Sequence, residues 1–186
     1  MKQYFALCAS LPVIKMEETP SLSSEKFFYY CSAHMSENEL KTLESVSLSV
    51  RDLPENFSKK SLFYKYASWD ISLRAALAKT RAARLSFDIH EFPESQKEIA
   101  YEMDAEKTAS DAYSQTNNPL ERERFLDRAR WNKLEELEPL YHFTYDHLCA
   151  YRLQLLIAEK WQKRAAGNAR KNLDDAARLV RSGETA

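Results

Sequence analysis

The stretch from Leu148 to Ala158 constrains the fold of this chain more than any other part of it. Only Arg152 and Gln154 are polar among its eleven residues, so a helix wound through it is apolar on almost every side. Such a helix is covered by neighbouring elements on several sides, whereas a surface helix carries a single apolar stripe. The stretch is too short to cross a bilayer, which takes about 20 apolar residues. The sequence therefore predicts a central helix inside a helical bundle.

The limits of this central helix are predicted from the residues that flank it. Thr144 is the expected N-cap, and Asp146 in the first turn complements the helix dipole. Gly167 is the expected stop, since glycine readily adopts the left-handed conformation that ends helices. We expect the helix to span 144–165.

The composition predicts an all-α protein. The chain has 186 residues, which suits one helical domain over 1–186, or two small ones. Two glycines are too few for hairpins and phosphate-binding loops, while long helices avoid glycine. The net charge of −1 gives no general attraction to nucleic acid or anionic lipid. The fold class expected is a multi-helix bundle.

The cysteines and the N-terminal segment bear on the compartment. Cys8, Cys31 and Cys149 are odd in number and widely spaced, which favours reduced thiols in the cytosol over a disulfide framework or a zinc site. The apolar run near the N-terminus is short and is followed by Pro12 and an acidic pair, so a signal peptide is not expected.

Local signals divide the chain into elements. Residues 1–12 are predicted to be extended, with a short helix as the alternative, and a loop follows over 12–24. Ser36 and Glu39 form a capping box, and Asn118 followed by Pro119 is typical of a helix start. Helices are predicted over 24–32, 36–50, 58–85, 94–114, 118–137, 144–165 and 168–181, and a break near Ser68 is an alternative for the third of them.

Charged residues interrupt the apolar stripe of the helix predicted over 118–137. Glu123, Asp127 and Arg130 fall inside that stripe, at positions i, i+4 and i+7. Buried charges are costly unless they are paired. We therefore predict a structural ion-pair network, and a carboxylate pair for acid–base chemistry is the alternative. Its partners are expected among the arginines of neighbouring helices: Arg74, Arg81, Arg84 and Arg152.

Two further groups of residues have competing interpretations. His142, Asp146 and His147 could be drawn as a metal site, but helical zinc sites place two histidines at i and i+4, and these two histidines are five residues apart.

The basic segment 58–85 carries aromatic residues that could stack on single-stranded nucleic acid, namely Phe63, Tyr64, Tyr66 and Trp69.

The preferred interpretation of the basic segment is electrostatic pairing inside the protein. The acidic segment 88–106 follows it in the chain, and an antiparallel helix pair would neutralise both. On this interpretation direct binding of nucleic acid is not expected. A helical binding or regulatory module that uses 58–85 remains the alternative function. The basic residues Lys59, Lys60 and Lys65 are candidates for a partner-binding face.

Four blocks of residues, in order along the chain, resemble a bacterial family that is encoded beside V-type (A/V-type) ATPase genes and is related to the C subunit of that ATPase. They are Tyr4-Phe-Ala-Leu-Cys-Ala-Ser-Leu-Pro12; Trp69-Asp-Ile-Ser-Leu-Arg74 with Leu77 and Arg81; Asn118-Pro-Leu-Glu-Arg-Glu-Arg-Phe-Leu-Asp127 with Trp131; and His142-Phe-Thr with Tyr151, Leu155, Trp161 and Gly167. Each block consists of aromatic and apolar spacing without a catalytic signature.

The resemblance implies a mechanical role. The C subunits of these ATPases are funnels of three helical modules that join the central stalk to the proteolipid ring, and this shorter chain would hold two modules, 1–93 and 94–186. It implies no enzymatic activity and no bound nucleotide, and no cofactor or metal is expected. The protein would be cytoplasmic and peripheral to the inner membrane, held there through its partners.

The competing functional hypothesis is an enzyme that uses Glu123 and Asp127, or His142 and His147.

Overall fold

The computed structural model describes residues 3–84, 103–138 and 142–168. These residues form an all-α bundle without strands, as the composition predicts. The described helices are α1 (Phe5–Ser10), α2 (Ser24–Ser32), α3 (Glu37–Glu44), α4 (Leu62–Arg84), α5 (Met103–Ser114), α6 (Pro119–Leu137) and α7 (Tyr145–Lys163). None of them is both long enough and apolar enough to cross a membrane.

The central helix is α7, and its burial agrees with the sequence pattern. Arg152, Gln154 and Leu156 are partly exposed, and the rest of the stretch from Leu148 to Ala158 is buried. Thr144 has the extended backbone of an N-cap, but its side chain makes no capping hydrogen bond. The α-helix ends at Lys163, and the chain then forms a π-helical turn, Arg164–Asn168.

Gly167 lies in that turn with φ of +117°, a left-handed conformation that residues with a side chain rarely adopt. The position therefore requires glycine for its backbone, as the predicted helix stop assumes.

Capping residues set the starts of α3 and α6. Ser36 accepts a hydrogen bond from the backbone N–H of Glu39, whose carboxylate in turn accepts from the N–H of Ser36. Asn118 accepts from the N–H of Leu120, and Pro119 occupies the first turn of α6. The end of α3 at Glu44, six residues before the predicted end, coincides with a serine-rich stretch in which Ser45 bonds the carbonyl of Thr42.

The start of α4 depends on a distant residue. Asp146 is 7 % exposed and accepts a hydrogen bond of 3.0 Å from the N–H of Leu62. This acceptor stands 84 residues away in sequence, which is why the start at 62 rather than 58 could not be predicted locally. Burial raises the pKa of Asp146, and the bond from Leu62 acts in the opposite direction. The alternative of a break near Ser68 is wrong, because α4 is continuous there.

The N-terminal segment forms a helix, so the extended conformation predicted for 1–12 is wrong and the alternative is right. Residues Phe5–Ser10 make α1, which buries Leu7 and Cys8. Tyr4 donates its N–H to the carbonyl of Phe143 at 2.7 Å, and an isolated antiparallel bridge joins Gln3 to Thr144. These bonds fix the segment against the start of α7.

The apolar core has two parts. The first gathers residues of α1, α2, α3 and the start of α4 around α7. The second lies between α4, α5 and α6, where Trp69, Leu73 and Leu77 pack against Ala105, Ala109 and Ala112. Both parts contain residues from before and after position 93, so the division into 1–93 and 94–186 does not coincide with them and stays a prediction.

The described parts of α4 and α5 run in the same direction, not antiparallel as expected. Trp69 and Asp104, near the starts of the two helices, line one groove. Arg81 and Tyr113, near their ends, are joined by a hydrogen bond. Small alanine side chains on α5 let the two helices pack closely, so apolar packing decides this arrangement. Most of the acidic segment 88–106 and the helix predicted over 168–181 lie outside the described residues.

We expect Leu153→Ala to lower the free energy of unfolding by about 2–5 kcal/mol, because Leu153 is fully buried in α7 and its truncation leaves a cavity. Leu156→Ala on the same helix is the matched control, since Leu156 is partly exposed and should cost less. Urea unfolding followed by circular dichroism measures both. Equal losses would contradict the central position of α7.

Candidate functional site

An ion-pair network joins α4, α6, α7 and the π-helical turn. Its centre is Arg130 on α6, which is 14 % exposed and contacts two fully buried carboxylates. Arg130 Nε lies 2.8 Å from Asp70 Oδ1, and Arg130 Nη1 lies 2.9 Å from Asp127 Oδ1. The guanidinium therefore bridges α4 to a carboxylate of its own helix. Paired and hydrogen-bonded in this way, the buried charges avoid the cost of an isolated ion.

On α4 the network continues through Arg74. Its Nε lies 2.9 Å from Asp70 Oδ2, and the same side chain also donates to the backbone carbonyl of Val50. Both oxygens of Asp70 are thus occupied by arginines. Arg74 also holds the chain that precedes α4, because Val50 belongs to the loop between α3 and α4.

On the α7 side the network continues through Lys160. Its ammonium lies 2.6 Å from Asp127 Oδ2 and 2.7 Å from Glu123 Oε1. Trp161 donates its indole N–H to the same Asp127 oxygen at 3.0 Å. Arg164, in the π-helical turn, makes two hydrogen bonds to Glu123, at 2.5 and 2.8 Å. The end of α7 is therefore tied to α6 at several points.

The pKa shifts follow from these contacts. Burial disfavours the charged form of Arg130, but Asp70 and the neighbouring Asp127 outweigh it and hold the pKa above the usual range. Burial alone would raise the pKa of Glu123, but hydrogen bonds from Arg164 and Lys160 lower it on balance. In both cases the contacts stabilise the charged form of the side chain, as is typical of a structural ion-pair network.

Three of the arginines expected in the network lie elsewhere, and one of them, Arg84, donates to the backbone carbonyl of Tyr113 at 3.0 Å and lies over its ring. Arg81 stands eleven residues after Asp70, about 16 Å along α4, and donates instead to the hydroxyl of Tyr113 at 2.6 Å. Arg152 faces α2, where it donates to Ser24 Oγ at 2.5 Å and lies over the ring of Phe28. The position of each arginine along its helix places it beyond the buried carboxylates. Glu123, Asp127, Arg130 and Arg74 are brought together.

Four members of the network were missed from the sequence: Asp70, Lys160, Trp161 and Arg164. A signal existed for Asp70, the one acid of the basic segment 58–85, which stands four residues before Arg74. On a helix this spacing brings the two side chains together. Lys160 and Arg164 have the same spacing and both reach Glu123.

The carboxylates of Glu123 and Asp127 are poorly suited to acid–base catalysis. Each is paired with two cationic side chains, and Asp127 is 1 % exposed. A general base must reach the proton of a substrate through a direct hydrogen bond or one water. The geometry therefore favours the structural interpretation of these residues.

The histidine group does not converge on a common point. Asp146 accepts from the N–H of Leu62, and His147 Nδ1 lies 2.9 Å from Glu138 Oε1. His142 is exposed beside Phe143. Among the described residues no group of three His, Cys, Asp or Glu side chains is arranged to hold a metal ion.

The cysteines are free and buried. Burial raises the pKa of Cys8 to about 11 and that of Cys31 to about 12, and it also raises the pKa of Cys149. At neutral pH they are protonated thiols in the core, a state that disfavours nucleophilic chemistry.

The basic segment offers few aromatic faces for nucleic acid. Phe63, Tyr66 and Trp69 are buried in the core, and Tyr64 is partly exposed. Base stacking needs accessible aromatic rings, so this arrangement does not favour the single-strand binding hypothesis. Lys59 and Lys60 are exposed and Lys65 is partly exposed, so their role as a partner face stays a prediction.

Exposed aromatic residues lie in pairs on the surface. Phe5 and Phe143, 54 % and 41 % exposed, have ring centroids 5.1 Å apart. Phe143 has φ of +56°, which is unusual for a bulky residue. Tyr29 and Tyr30 form a second exposed pair on α2. Clustered exposed aromatic side chains are typical of surfaces that bind other proteins.

Comparison of the chain with models of protein families, with curated proteins and with solved structures found no match.

We expect Asp70→Asn to lower the free energy of unfolding by about 3–5 kcal/mol, because it leaves the buried Arg130 without one of its two carboxylates. Glu37→Gln is the control, since its ion pair with Lys41 is exposed and should contribute less than about 1 kcal/mol. Chemical unfolding at neutral pH measures both. A loss no larger than that of the control would contradict the structural role of the network.

We expect Glu123→Gln to destabilise the protein at neutral pH and to have little effect in strong acid. The pKa of Glu123 is lower in the folded protein, so its contribution is fully present above the unfolded value, about 4.3. That contribution disappears as the pH falls through the lower, folded-state pKa. Melting temperatures of wild type and variant should therefore approach each other as the pH falls below the unfolded value and coincide once it is below the folded-state pKa. Glu55→Gln, at an exposed glutamate, should follow wild type throughout.

Proposed function

We propose that this protein is a non-catalytic component of the central stalk of a V-type rotary ATPase or ATP synthase, similar to the C subunit of such complexes. It would couple the stalk to the proteolipid ring during proton or sodium transport. It would lie at the cytoplasmic face of the inner membrane and associate with the membrane through its partners. The observation that carries the proposal is the order of the four residue blocks along the chain.

The positions of these blocks in the fold support a structural role for them. The second block contributes Asp70 and Arg74 to the ion-pair network, the third contributes Glu123 and Asp127, and the last contributes Trp161. The residues that carry the resemblance are thus also residues that join the helices. This pattern fits a protein in which these blocks stabilise the fold and do not form a substrate site.

The network also supports a role in carrying force. It ties α4, α6 and the end of α7 together through charged hydrogen bonds between rigid helices. Buried polar networks whose members are all paired make a core more rigid, and close-packed interiors transmit strain. A coupling element between a stalk and a ring needs this stiffness. No nucleotide, metal or other cofactor is required for it.

The surface supplies candidate contacts for such partners. The aromatic pair of Phe5 and Phe143 is formed by two segments that are distant in sequence, and hydrogen bonds hold the backbone of both in place. The basic side chains Lys59, Lys60 and Lys65 are the predicted partner face. Aromatic side chains of this kind are enriched at the centres of protein interfaces, and the polar rims around those centres can hold charged side chains.

The test is affinity purification of the tagged, full-length protein from detergent-solubilised native membranes. We expect stalk and proteolipid subunits to be recovered with it, and an unrelated tagged cytoplasmic protein expressed at the same level is the control. Recovery in the soluble fraction with none of these subunits would contradict the proposal.

A further inference from the structure

A groove lies between the loop that precedes α2, the start of α6 and the end of α7. Its volume is about 280 Å³. Its apolar lining comes from Met16, Leu120, Ala158 and Trp161. Leu120 is 54 % exposed, so an apolar wall of the groove is open to solvent.

The size of this groove suits a side chain better than a whole small molecule. Pockets for small-molecule ligands usually measure about 300–1,000 Å³ and enclose most of the ligand. A cavity of about 150 Å³ already holds a benzene ring. A groove of about 280 Å³ therefore has room for one large apolar side chain and part of the backbone that carries it.

Most charges around the groove are already paired. Glu17 is paired with Arg128, and Glu18 lies 2.8 Å from Lys15. Arg164 is committed to Glu123 through two hydrogen bonds. Within the described part of the chain, the opposite charges of each pair largely cancel, so these side chains contribute little net charge to the groove.

Arg124 is the exception. It is exposed at the groove, and within the described ranges it interacts with the ring of Trp161, whose centroid lies 5.5 Å from the guanidinium carbon. No carboxylate of the described residues lies within ion-pair distance of it. A cation held over an aromatic ring keeps its hydrogen-bond donors available for a carboxylate. Tryptophan and arginine are also the residues most often found at the energetic centre of interfaces.

We propose that this groove docks a peptide segment of a partner protein in which an apolar side chain stands beside a glutamate or aspartate. The apolar side chain would lie between Leu120, Met16 and Trp161, and the carboxylate would pair with Arg124. The inference rests on the proposed role as a docking element of a larger complex and names the chemistry of the partner segment. Its specificity comes from charge complementarity at one arginine.

The test uses short fluorescent peptides and the full-length protein. One set carries Leu or Phe beside Glu, and the matched set carries Gln in place of each Glu. We expect the Glu peptides to bind and the Gln peptides to bind about tenfold more weakly, since a charged hydrogen bond is worth about that factor. Fluorescence anisotropy measures both sets.

Three variants locate the binding. Arg124→Glu should weaken binding of the Glu peptides about tenfold and should favour a third set that carries Lys at the same position. Leu120→Ala should weaken all sets, because it removes the apolar wall. Arg51→Glu, at an exposed arginine that does not line the groove, should have no effect. Each variant replaces an exposed side chain, and an unchanged melting temperature shows that it is folded.

The inference is wrong if no peptide binds, if Glu and Gln peptides bind equally, or if Arg124→Glu and Arg51→Glu behave alike. Any of these outcomes leaves the membrane co-purification unaffected, so failure of the groove and failure of the proposed function are distinguishable. Co-purification of stalk subunits by wild type and by Arg124→Glu in equal amounts would place the stalk contact elsewhere on the surface.

Discussion

The position of Arg130 between two buried carboxylates is the constraint on which much of this bundle depends. Asp70 and Asp127 are both fully buried, and a buried carboxylate must be paired or the folded state pays a large desolvation cost. Arg130 forms an ion pair with one oxygen of each carboxylate. Arg74 pairs with the other oxygen of Asp70, and Lys160 with the other oxygen of Asp127. Any sliding of α4 along α6 would leave a charge unpaired, so the network selects one register of the helices.

The same principle operates at the ends of elements. Asp146 of α7 receives the first N–H of α4, and the carbonyl of Val50 receives a donor from Arg74. Glu159 of α7 accepts from the N–H and hydroxyl of Ser24 at the start of α2. In the first and third of these contacts a side chain of α7 satisfies groups at the start of another helix, and in the second Arg74 of α4 holds the loop that precedes its own helix. The starts of α2 and α4 are therefore also points of tertiary attachment.

The surface has a different character from the interior. The buried charges of the ion-pair network are paired, whereas the groove beside Trp161 presents Arg124 without a carboxylate among the described residues. The exposed rings of Phe5 and Phe143 add an apolar patch at another point. A rigid interior with separate, chemically distinct patches on the surface suits a protein that makes several contacts at once, and it agrees with the proposed position between a stalk and a ring.

The sequence by itself determined the all-α class, the central helix, the limits of α6 and the capping box of Ser36, because periodicity and caps are local signals. It also placed Asp127 on a buried face that required a cation. Only the tertiary structure decided which cations pair with it. Lys160 on α7 reaches Asp127, whereas Arg81 on α4 and Arg152 on α7 lie too far along their helices to do so. The tertiary structure likewise decided the parallel course of α4 and α5 and the helical form of α1, which depend on packing between residues distant in the chain.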